Sequence, residues 1–285
     1  MSKTNRFICI WIAMMLMITF ISTDGITIQA SSTTSTETYI HSNDELVQEV
    51  YKNLLAKRKT FSVSYNGDWS DCYKNDLDGL FQQVYAIDDK DTSDDYDYMK
   101  MNVKKYSLVL SSNGVKAVFK FTVSYRETAS QTKKVNVRVT KALKSLKLSN
   151  ASNYTKVKKI HDYIVNKLSY DTSYSNYTAY GALTKKKAVC QGYALLFYKM
   201  ATEAGVPCRI VASETHAWNI VKLGKRWYHV DATWDDPVSS KPILRYDYFL
   251  KGSDSMEAIH KLLSEYNTKA FKKNFPISSS NYKRK

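Results

Sequence analysis

The stretch from Cys190 to Asp231 constrains this chain more than any other, because it predicts one helix followed by two strands. Apolar residues recur after Cys190 at three- and four-residue steps, the period of one helical face, and Gly205 and Pro207 predict where the helix ends. Cys190 is therefore expected in the first turn, where unpaired N–H groups and the helix dipole favour an anion. A thiol there loses its proton more readily, and Gly192 leaves room for a substrate to approach.

Two strands are expected after this helix, joined around residues 223–225. A two-residue turn would place His216 and Asp231 on one face of the sheet. They would be directly opposite each other if residues 223–224 form the turn, and diagonal if residues 224–225 form it. A three-residue turn would put them on opposite faces. With a two-residue turn, Cys190 would be a nucleophile, His216 its base and Asp231 the group that orients the imidazole.

Other residues nearby could compete for these roles. His229 has the same strand parity as Asp231 and could replace His216 as the base. Asp235 and Asp236 are rival acids, but the strand is expected to end before them. His161 lies beside the apolar face of an expected helix, and a lone histidine without a placed partner is interpreted as a packing residue.

Three sequence blocks carry a family resemblance: VCQGYA, THAWNIV and WYHVDATWDDP, in this order. They resemble the signature blocks of the transglutaminase-like superfamily, in its bacterial secreted branch, and the resemblance spans residues 149–282. It implies a papain-like α+β core, with a helix packed on an antiparallel sheet. It also implies a Cys-His-Asp triad at Cys190, His216 and Asp231. Family members transfer acyl groups at amides by cross-linking, deamidation, peptide cleavage or glycan amide hydrolysis, and some have lost activity.

Acyl transfer also needs hydrogen-bond donors for the developing oxyanion. The backbone N–H of Cys190 is one candidate. The resemblance implies a second donor from an upstream aromatic side chain, for which Tyr170 is the candidate, although packing is the alternative. Gln191 and Trp218 are further candidates for the oxyanion site or cleft, and Trp218 could instead fill the core. The tyrosine-rich segment 171–187 is expected to be a loop that either lines the cleft or packs.

The first thirty residues have the pattern of a secretory signal peptide. Lys3 and Arg6 precede an apolar run over residues 7–21, and residues 28–30 offer a cleavage site. The apolar run is short for a membrane span, so cleavage is favoured over the alternative of an uncleaved anchor. Residues 1–30 are accordingly predicted to be a signal peptide, which indicates a secreted, extracellular protein, and association with the cell wall is left open.

The remaining chain is expected to have three parts. Residues 31–42 are predicted to be a flexible leader, residues 43–148 a mixed α/β accessory region, and residues 149–285 the transglutaminase-like core. A hairpin is predicted around Asn113-Gly114, and residues 135–148 are expected to form a linker helix. The other expected elements are helices over 42–57, 71–85, 155–168 and 256–266, strands over 61–65, 98–110, 115–125 and 246–250, and a solvated acidic loop over 88–97.

The chain is strongly basic, with a formal net charge of +15. Residues 1–30 carry two basic and one acidic side chain, so the remaining residues carry +14. Such a charge would draw a secreted protein to an anionic wall polymer or to lipid headgroups, although a solvated surface without a partner is the alternative. The lysines are scattered and form no nucleic-acid-binding motif, which argues against nucleic acid as a partner.

Three cysteines follow residue 30, and an odd count outside the cell indicates a free thiol. Cys190 is the candidate, and a disulfide between Cys72 and Cys208 stays open. The chain contains neither a CxxC pair nor an HExxH motif, so no metal site and no cofactor are predicted.

The sequence predicts a secreted, cysteine-dependent acyl-transfer enzyme that acts on amide bonds. Its type would be transglutaminase, deamidase or peptidase, and its substrate a protein or a peptide, including cell-wall peptide. The same three residues would serve cross-linking and hydrolysis, so the sequence does not separate these outcomes. The alternative is a non-catalytic protein that binds the cell wall or another surface and retains the fold.

Overall fold

The computed structural model describes residues 39–239, 243–256 and 258–284, which divide into two compact units. Within the described residues, the first unit contains 39–84 and 105–124, and the second contains 85–104 and everything after 124. The predicted signal peptide over residues 1–30 lies outside the described residues. In the part of the chain that is described, no helix has the length and apolar character needed to cross a membrane.

The first unit is built on a four-stranded sheet with the order β1-β2-β4-β3. Ser42 caps α1, as its position before the apolar period predicts, by accepting a hydrogen bond from the N–H of Glu45. Tyr39 pairs with Ser64, so the end of the predicted flexible leader is a strand. The elements are β1 (Tyr39–Ile40), α1 (Asn43–Leu55), β2 (Thr60–Asn66), α2 (Leu77–Tyr85), β3 (Val103–Ser112) and β4 (Lys116–Tyr125).

The second unit has an α+β fold, as predicted, with a helix packed on an antiparallel sheet of order β10-β9-β8-β7. Its helices are α3 (Tyr96–Asn102), α4 (Ala129–Leu146), α5 (Asn153–Lys167), α6 (Ala179–Lys185), α7 (Cys190–Glu203) and α8 (Lys269–Asn274). Its strands are β5 (Ser169–Tyr170), β6 (Lys187–Ala188), β7 (Cys208–Ala212), β8 (Ala217–Leu223), β9 (Arg226–Val230) and β10 (Phe249–Lys251).

Helix α7 is the centre of this unit, because every residue from Gly192 to Ala201 is buried. It packs against β7 and β8 on one side and contacts α4, α5 and α6 on others. The opposite face of β8 is buried too, where Trp218 and Ile220 pack with residues of the C-terminal segment. A central helix and a strand buried on both faces hold the ends of these elements rigidly.

The β8–β9 turn decides how His216 and Asp231 are arranged. Leu223 pairs with Arg226, so residues 224–225 form a two-residue turn, the second of the predicted alternatives. Gly224 has a φ of +64°, a conformation that glycine adopts without strain. His216 directly precedes β8 and Asp231 directly follows β9, so both lie at the same end of the sheet.

The two units differ from the predicted division at residue 148. The expected linker helix is part of α4, whose residues Val135 and Val139 are buried in the core of the second unit. The acidic segment also belongs to this unit and is not simply solvated. Asp97 is buried and accepts two hydrogen bonds from Arg209, at 2.7 and 2.9 Å. Burial of these acids is tolerated because basic partners pair with them.

Several element predictions need correction, because tertiary contacts overrode local patterns. The strand expected over 98–110 begins only at Val103, after helix α3. Val115 lies in the hairpin turn and is exposed, although the residues that alternate after it are buried. The helix expected over 71–85 is reduced to α2, and the helix expected over 256–266 is replaced by 3-10 turns. The loop expected over 171–187 contains helix α6. The strand expected over 246–250 is reduced to β10.

Candidate active site

Cys190 is the first residue of α7, as predicted from the helical period. The residue before it, Val189, offers no side chain to cap the helix, so the positive end of the dipole faces the thiol uncapped. Cys190 is a half-buried free thiol. Cys72 and Cys208 are free and buried, so the disulfide that the sequence left open is not formed.

His216 and Asp231 form a short hydrogen bond, with His216 Nε2 lying 2.5 Å from Asp231 Oδ2. Because Nε2 is engaged with Asp231, Nδ1 is the ring nitrogen left for the thiol of Cys190, whose charge contributes to the raised pKa of His216. Asp231 is 1% exposed, and its other oxygen accepts backbone N–H bonds from Thr233 at 2.9 Å and Trp234 at 3.2 Å. His216 and Asp231 are therefore joined by a direct hydrogen bond, and Cys190 is close enough for its charge to act on the imidazole.

The charges on His216 and Asp231 stabilise each other. Burial lowers the pKa of His216, but its hydrogen bond to Asp231 and the charges of Asp231 and Cys190 outweigh burial and raise the pKa to about 9. Burial raises the pKa of Asp231, but hydrogen bonds from His216 and His260 outweigh it and lower the pKa to about 2. At neutral pH the pair is therefore an imidazolium beside a carboxylate, which can stabilise a thiolate and supply a proton.

His260 also bonds to Asp231, and sequence reasoning missed it. Its Nε2 lies 2.8 Å from Asp231 Oδ2, and the residue is 3% exposed. It follows Asp231 by 29 residues and ends a 3-10 turn, Ala258–His260, outside the three resemblance blocks. Neither a period nor a spacing in the sequence indicates such a contact.

Trp218 fills the core beneath the site and does not line a cleft. It is 1% exposed, stacks on His216 with ring centroids 5.7 Å apart, and donates its Nε1–H to His229 Nδ1 at 2.9 Å. Burial lowers the pKa of His229 to about 4, so this histidine is a neutral acceptor and not the base. Trp234 is the exposed aromatic of the site, 6.0 Å from the His216 ring.

The other predicted cleft residues have different surroundings. Burial raises the pKa of Tyr170, and the charge of Cys190 raises it further. In the β5–β6 pair, Tyr170 lies opposite Ala188, two residues before Cys190. The role of Tyr170 as an oxyanion donor stays a prediction. Gln191 donates from Nε2 to the carbonyl of Met101 at 3.0 Å, so one amide hydrogen is already used. Gly192 is buried against Ala188, so it does not face an open path along which a substrate could approach.

The rival residues are engaged elsewhere. His161 is fully buried and its Nε2 lies 3.0 Å from Asp235 Oδ2, so it joins α5 to the turn after β9. Asp236 accepts a hydrogen bond from the hydroxyl of Tyr193 at 2.5 Å. These contacts agree with the interpretation of His161 as a packing residue and leave Asp231 as the acid next to His216.

His216, Asp231 and His260 are also the residue types that bind metal ions, and their ligand atoms lie within 4.8 Å of one another. A zinc ion lies about 2.0–2.2 Å from each nitrogen or oxygen ligand, which in a tetrahedral site separates the ligand atoms by about 3.3 Å. The observed nitrogen–oxygen distances of 2.5 and 2.8 Å are shorter. They are hydrogen-bond lengths, so the arrangement is better described as two imidazoles on one carboxylate.

Comparisons with known proteins relate part of this chain to one superfamily. Residues 140–232 match the model of the transglutaminase-like superfamily. Kyphoscoliosis peptidase from Homo sapiens and its Mus musculus counterpart are each 36% identical to this chain over 87 residues, covering 24% of this chain and 13% of each relative. The chain therefore spans only about an eighth of the length of these relatives.

A crystal structure of a TGase is similar in fold to this chain, with 14% sequence identity and a TM-score of 0.35. The alignment covers 74% of this chain and 63% of that one. The superfamily match contains Cys190, His216 and Asp231. Residues 140–232 are the part of this chain that matches the transglutaminase-like superfamily.

Proposed function

We propose that this protein is a cysteine-dependent acyl-transfer enzyme that acts on amide bonds through Cys190, His216 and Asp231. The observation that carries the proposal is a thiol at a helix start whose charge acts on an imidazole, and the hydrogen bond from that imidazole to a buried carboxylate 2.5 Å away. A nucleophile, its base and an orienting acid in hydrogen-bond reach are the requirements of this chemistry.

In the proposed reaction, the Cys190 thiolate attacks the amide carbonyl carbon and forms a tetrahedral intermediate. The His216 imidazolium then gives its Nδ1 proton to the leaving nitrogen, the carbon–nitrogen bond breaks, and an acyl thioester remains. Asp231 keeps the imidazole oriented and stabilises its charge. Next, neutral His216 takes a proton from water or from an amine, which attacks the thioester and releases the thiol.

The oxyanion would be stabilised at the start of α7. The N–H of Cys190 is the proposed first donor, because Val189 leaves this helix end without a side-chain cap. Tyr170 is the proposed second donor, since the charge of Cys190 acts on it. Water as the acceptor is the favoured outcome, because the curated relatives are named peptidases, and cross-linking and deamidation are tested beside it.

A substrate that carries a carboxylate is favoured by a basic pocket at the β5–β6 strand pair, whose lining also includes Asp236. The pocket has a volume of about 480 Å³ and is lined by Tyr170 and three exposed lysines, Lys167, Lys186 and Lys187. Strand β6, which contains Lys187, leads two residues later to Cys190. Ammonium groups would attract an anionic peptide, such as a cell-wall peptide, and concentrate it near the thiol.

Two alkylating reagents test this pocket. Iodoacetate is an anion and iodoacetamide is neutral, so the ratio of their rates at Cys190 reports the local potential. Replacing the three lysines with glutamine is expected to lower the ratio, and added salt should reduce the difference. Lys272 and Lys273, exposed on α8, are the matched control. An unchanged ratio in the triple variant contradicts an anionic substrate.

We also propose that the protein is secreted and associates with the cell wall. The amino-terminal signal pattern and the basic composition support this location. Fractionation of cells that produce the full chain tests it: the protein should be in the medium or the wall fraction, and high salt should release it from the wall. Retention inside the cell contradicts the proposal.

The activity is tested with purified protein and a Cys190→Ala control. The reaction contains a glutamine-rich protein, a peptidoglycan fragment and a small primary amine, and products are read by mass spectrometry. Amine incorporation identifies a transglutaminase, amide loss without incorporation a deamidase, and backbone or stem-peptide cleavage a peptidase. Products that Cys190→Ala still makes contradict the mechanism. If none forms while the protein binds peptidoglycan, the non-catalytic binding protein is favoured.

A further inference from the structure

Asp231 accepts four hydrogen bonds, and one of them comes from a histidine outside the proposed triad. Oδ1 accepts two backbone N–H groups, from Thr233 and Trp234. Oδ2 accepts from His216 at 2.5 Å and from His260 at 2.8 Å. The carboxylate is thus satisfied on both oxygens inside a site where it is 1% exposed. Such saturation is required to keep a charge in the protein interior.

The hydrogen on His260 can be assigned from its partners. Asp231 is ionised, so Oδ2 can only accept, and Nε2 of His260 must carry the proton. Nδ1 of His260 is buried and has no hydrogen-bond partner among the described residues. In the Nε2–H tautomer this nitrogen presents a lone pair, whereas a second proton would leave a buried N–H donor unpaired. His260 is therefore assigned as a donor to the carboxylate through Nε2–H.

Aromatic rings hold His260 in this orientation. Its ring stacks on Tyr248, with centroids 5.1 Å apart and an interplanar angle of 26°. The rings of Trp218 and Trp234 meet it edge-on, at 4.9 and 5.0 Å. The same two tryptophans contact His216. Close packing on three sides prevents rotation of the imidazole, so its donor stays aimed at Asp231.

We infer that His260 is a positioning residue for the proposed acyl-transfer reaction, acting through Asp231. The inference rests on the proposed function of Cys190 and His216. Backbone donors fix one oxygen of the carboxylate, and His260 fixes the other, so Oδ2 lies in line with His216 Nε2. The imidazole of His216 is thereby kept with Nδ1 toward the thiol. Supporting hydrogen bonds of this kind determine how well a site is preorganised.

The test is the rate of Cys190 alkylation by iodoacetamide in the full chain, measured from about pH 5 to about pH 10. His260→Phe removes the donor and is expected to slow alkylation at neutral pH about tenfold, as loss of one hydrogen bond to a charged group implies. It should also move the acid limb of the profile to higher pH. His260→Gln keeps an N–H donor near the Nε2 position and should restore the rate to within about threefold of the unmodified protein.

His161 supplies the matched control, because it is a second buried histidine bonded to a carboxylate, at 3.0 Å. His161→Phe and His161→Gln should leave the alkylation profile unchanged, even if stability falls. Three results overturn the inference: a His260→Phe profile that matches the unmodified protein, an equal change in His161→Phe, or His260→Gln as slow as His260→Phe. If His260→Phe does not fold, His260→Gln is compared with His260→Asn, whose amide reaches only the Nδ1 position.

Alkylation requires no substrate, so this experiment separates the inference from the proposed function. If the His260 variants shift the profile and no product forms in the activity assay, the positioning role stands and the enzymatic proposal fails. If His216→Ala leaves the alkylation profile unchanged, the thiol–imidazole pair is absent, and the role of His260 is refuted with it.

Discussion

Replacing Asp231 with asparagine is expected to convert His216 from an imidazolium into a neutral ring. The pKa of His216 lies at about 9 instead of 6.5, although burial alone lowers it. At 1.36 kcal/mol per pKa unit, this difference corresponds to about 3 kcal/mol in favour of the imidazolium. Asparagine removes the negative charge of Asp231. Its side-chain amide also places either N–H donors or a weaker oxygen acceptor at the position where Oδ2 now accepts hydrogen bonds from two imidazoles. The His216 pKa should therefore fall below 6.5.

The loss should appear in the reactivity of the thiol. Without the imidazolium, Cys190 loses stabilisation of its thiolate, and a cost of about 2 to 3 kcal/mol slows alkylation at neutral pH roughly 30- to 150-fold. Two measurements check this: the pH profile of iodoacetamide alkylation, and the titration of His216 followed by NMR of its ring nitrogens.

Asp235→Asn is the control, since Asp235 is another buried aspartate bonded to a histidine, four residues along the chain. It should lower stability without changing the titration of His216. An unchanged His216 titration in Asp231→Asn, or an equal change in Asp235→Asn, would refute the electrostatic reasoning.

Three further predictions follow from the same contacts. Cys190 should be alkylated before the other two cysteines, because burial raises the pKa of Cys72 to about 11 and the pKa of Cys208 well above its usual range. Peptide mapping after brief alkylation measures the order. Gly192→Ala should destabilise the protein by about 1–3 kcal/mol, since the added carbon would lie 2.6 Å from a neighbouring side chain; denaturant unfolding measures the change. His161→Gln should cost more stability near pH 5.5 than near pH 9, measured by unfolding at both pH values.

The sign of the His161 effect follows from its charges. Burial lowers the pKa of His161, but hydrogen bonds to Asp162 and Asp235 outweigh burial and raise it. A raised pKa means that the histidine stabilises the folded state fully below its unfolded pKa, and that this contribution is lost as the pH rises through the folded pKa. An equal cost at both pH values contradicts this account.

The controls for the other two predictions come from the chain itself. Gly181→Ala should cost less than Gly192→Ala, since its nearest contact would be 3.3 Å away. Equal costs would show that crowding is not the cause. Alkylation of Cys72 before Cys190 would contradict the proposed nucleophile.

The sequence by itself determined the local elements around the site. Periodic apolar residues, a Gly-Pro stop and alternating strands predicted α7, β8 and β9. They placed His216 and Asp231 on one face of the sheet only if the turn had two residues. These patterns are readable because each element must turn one face toward a core. The catalytic roles of Cys190, His216 and Asp231 stay a proposal that the experiments above test.

Tertiary structure decided what depends on distant parts of the chain. It selected residues 224–225 as the turn, buried Trp218, packed Ala188 against Gly192 and brought His260 to Asp231. None of these contacts has a local signature, because burial and pairing across 29 residues depend on how whole elements pack, and not on the period of either segment. The second imidazole on the carboxylate was therefore visible only in the folded protein.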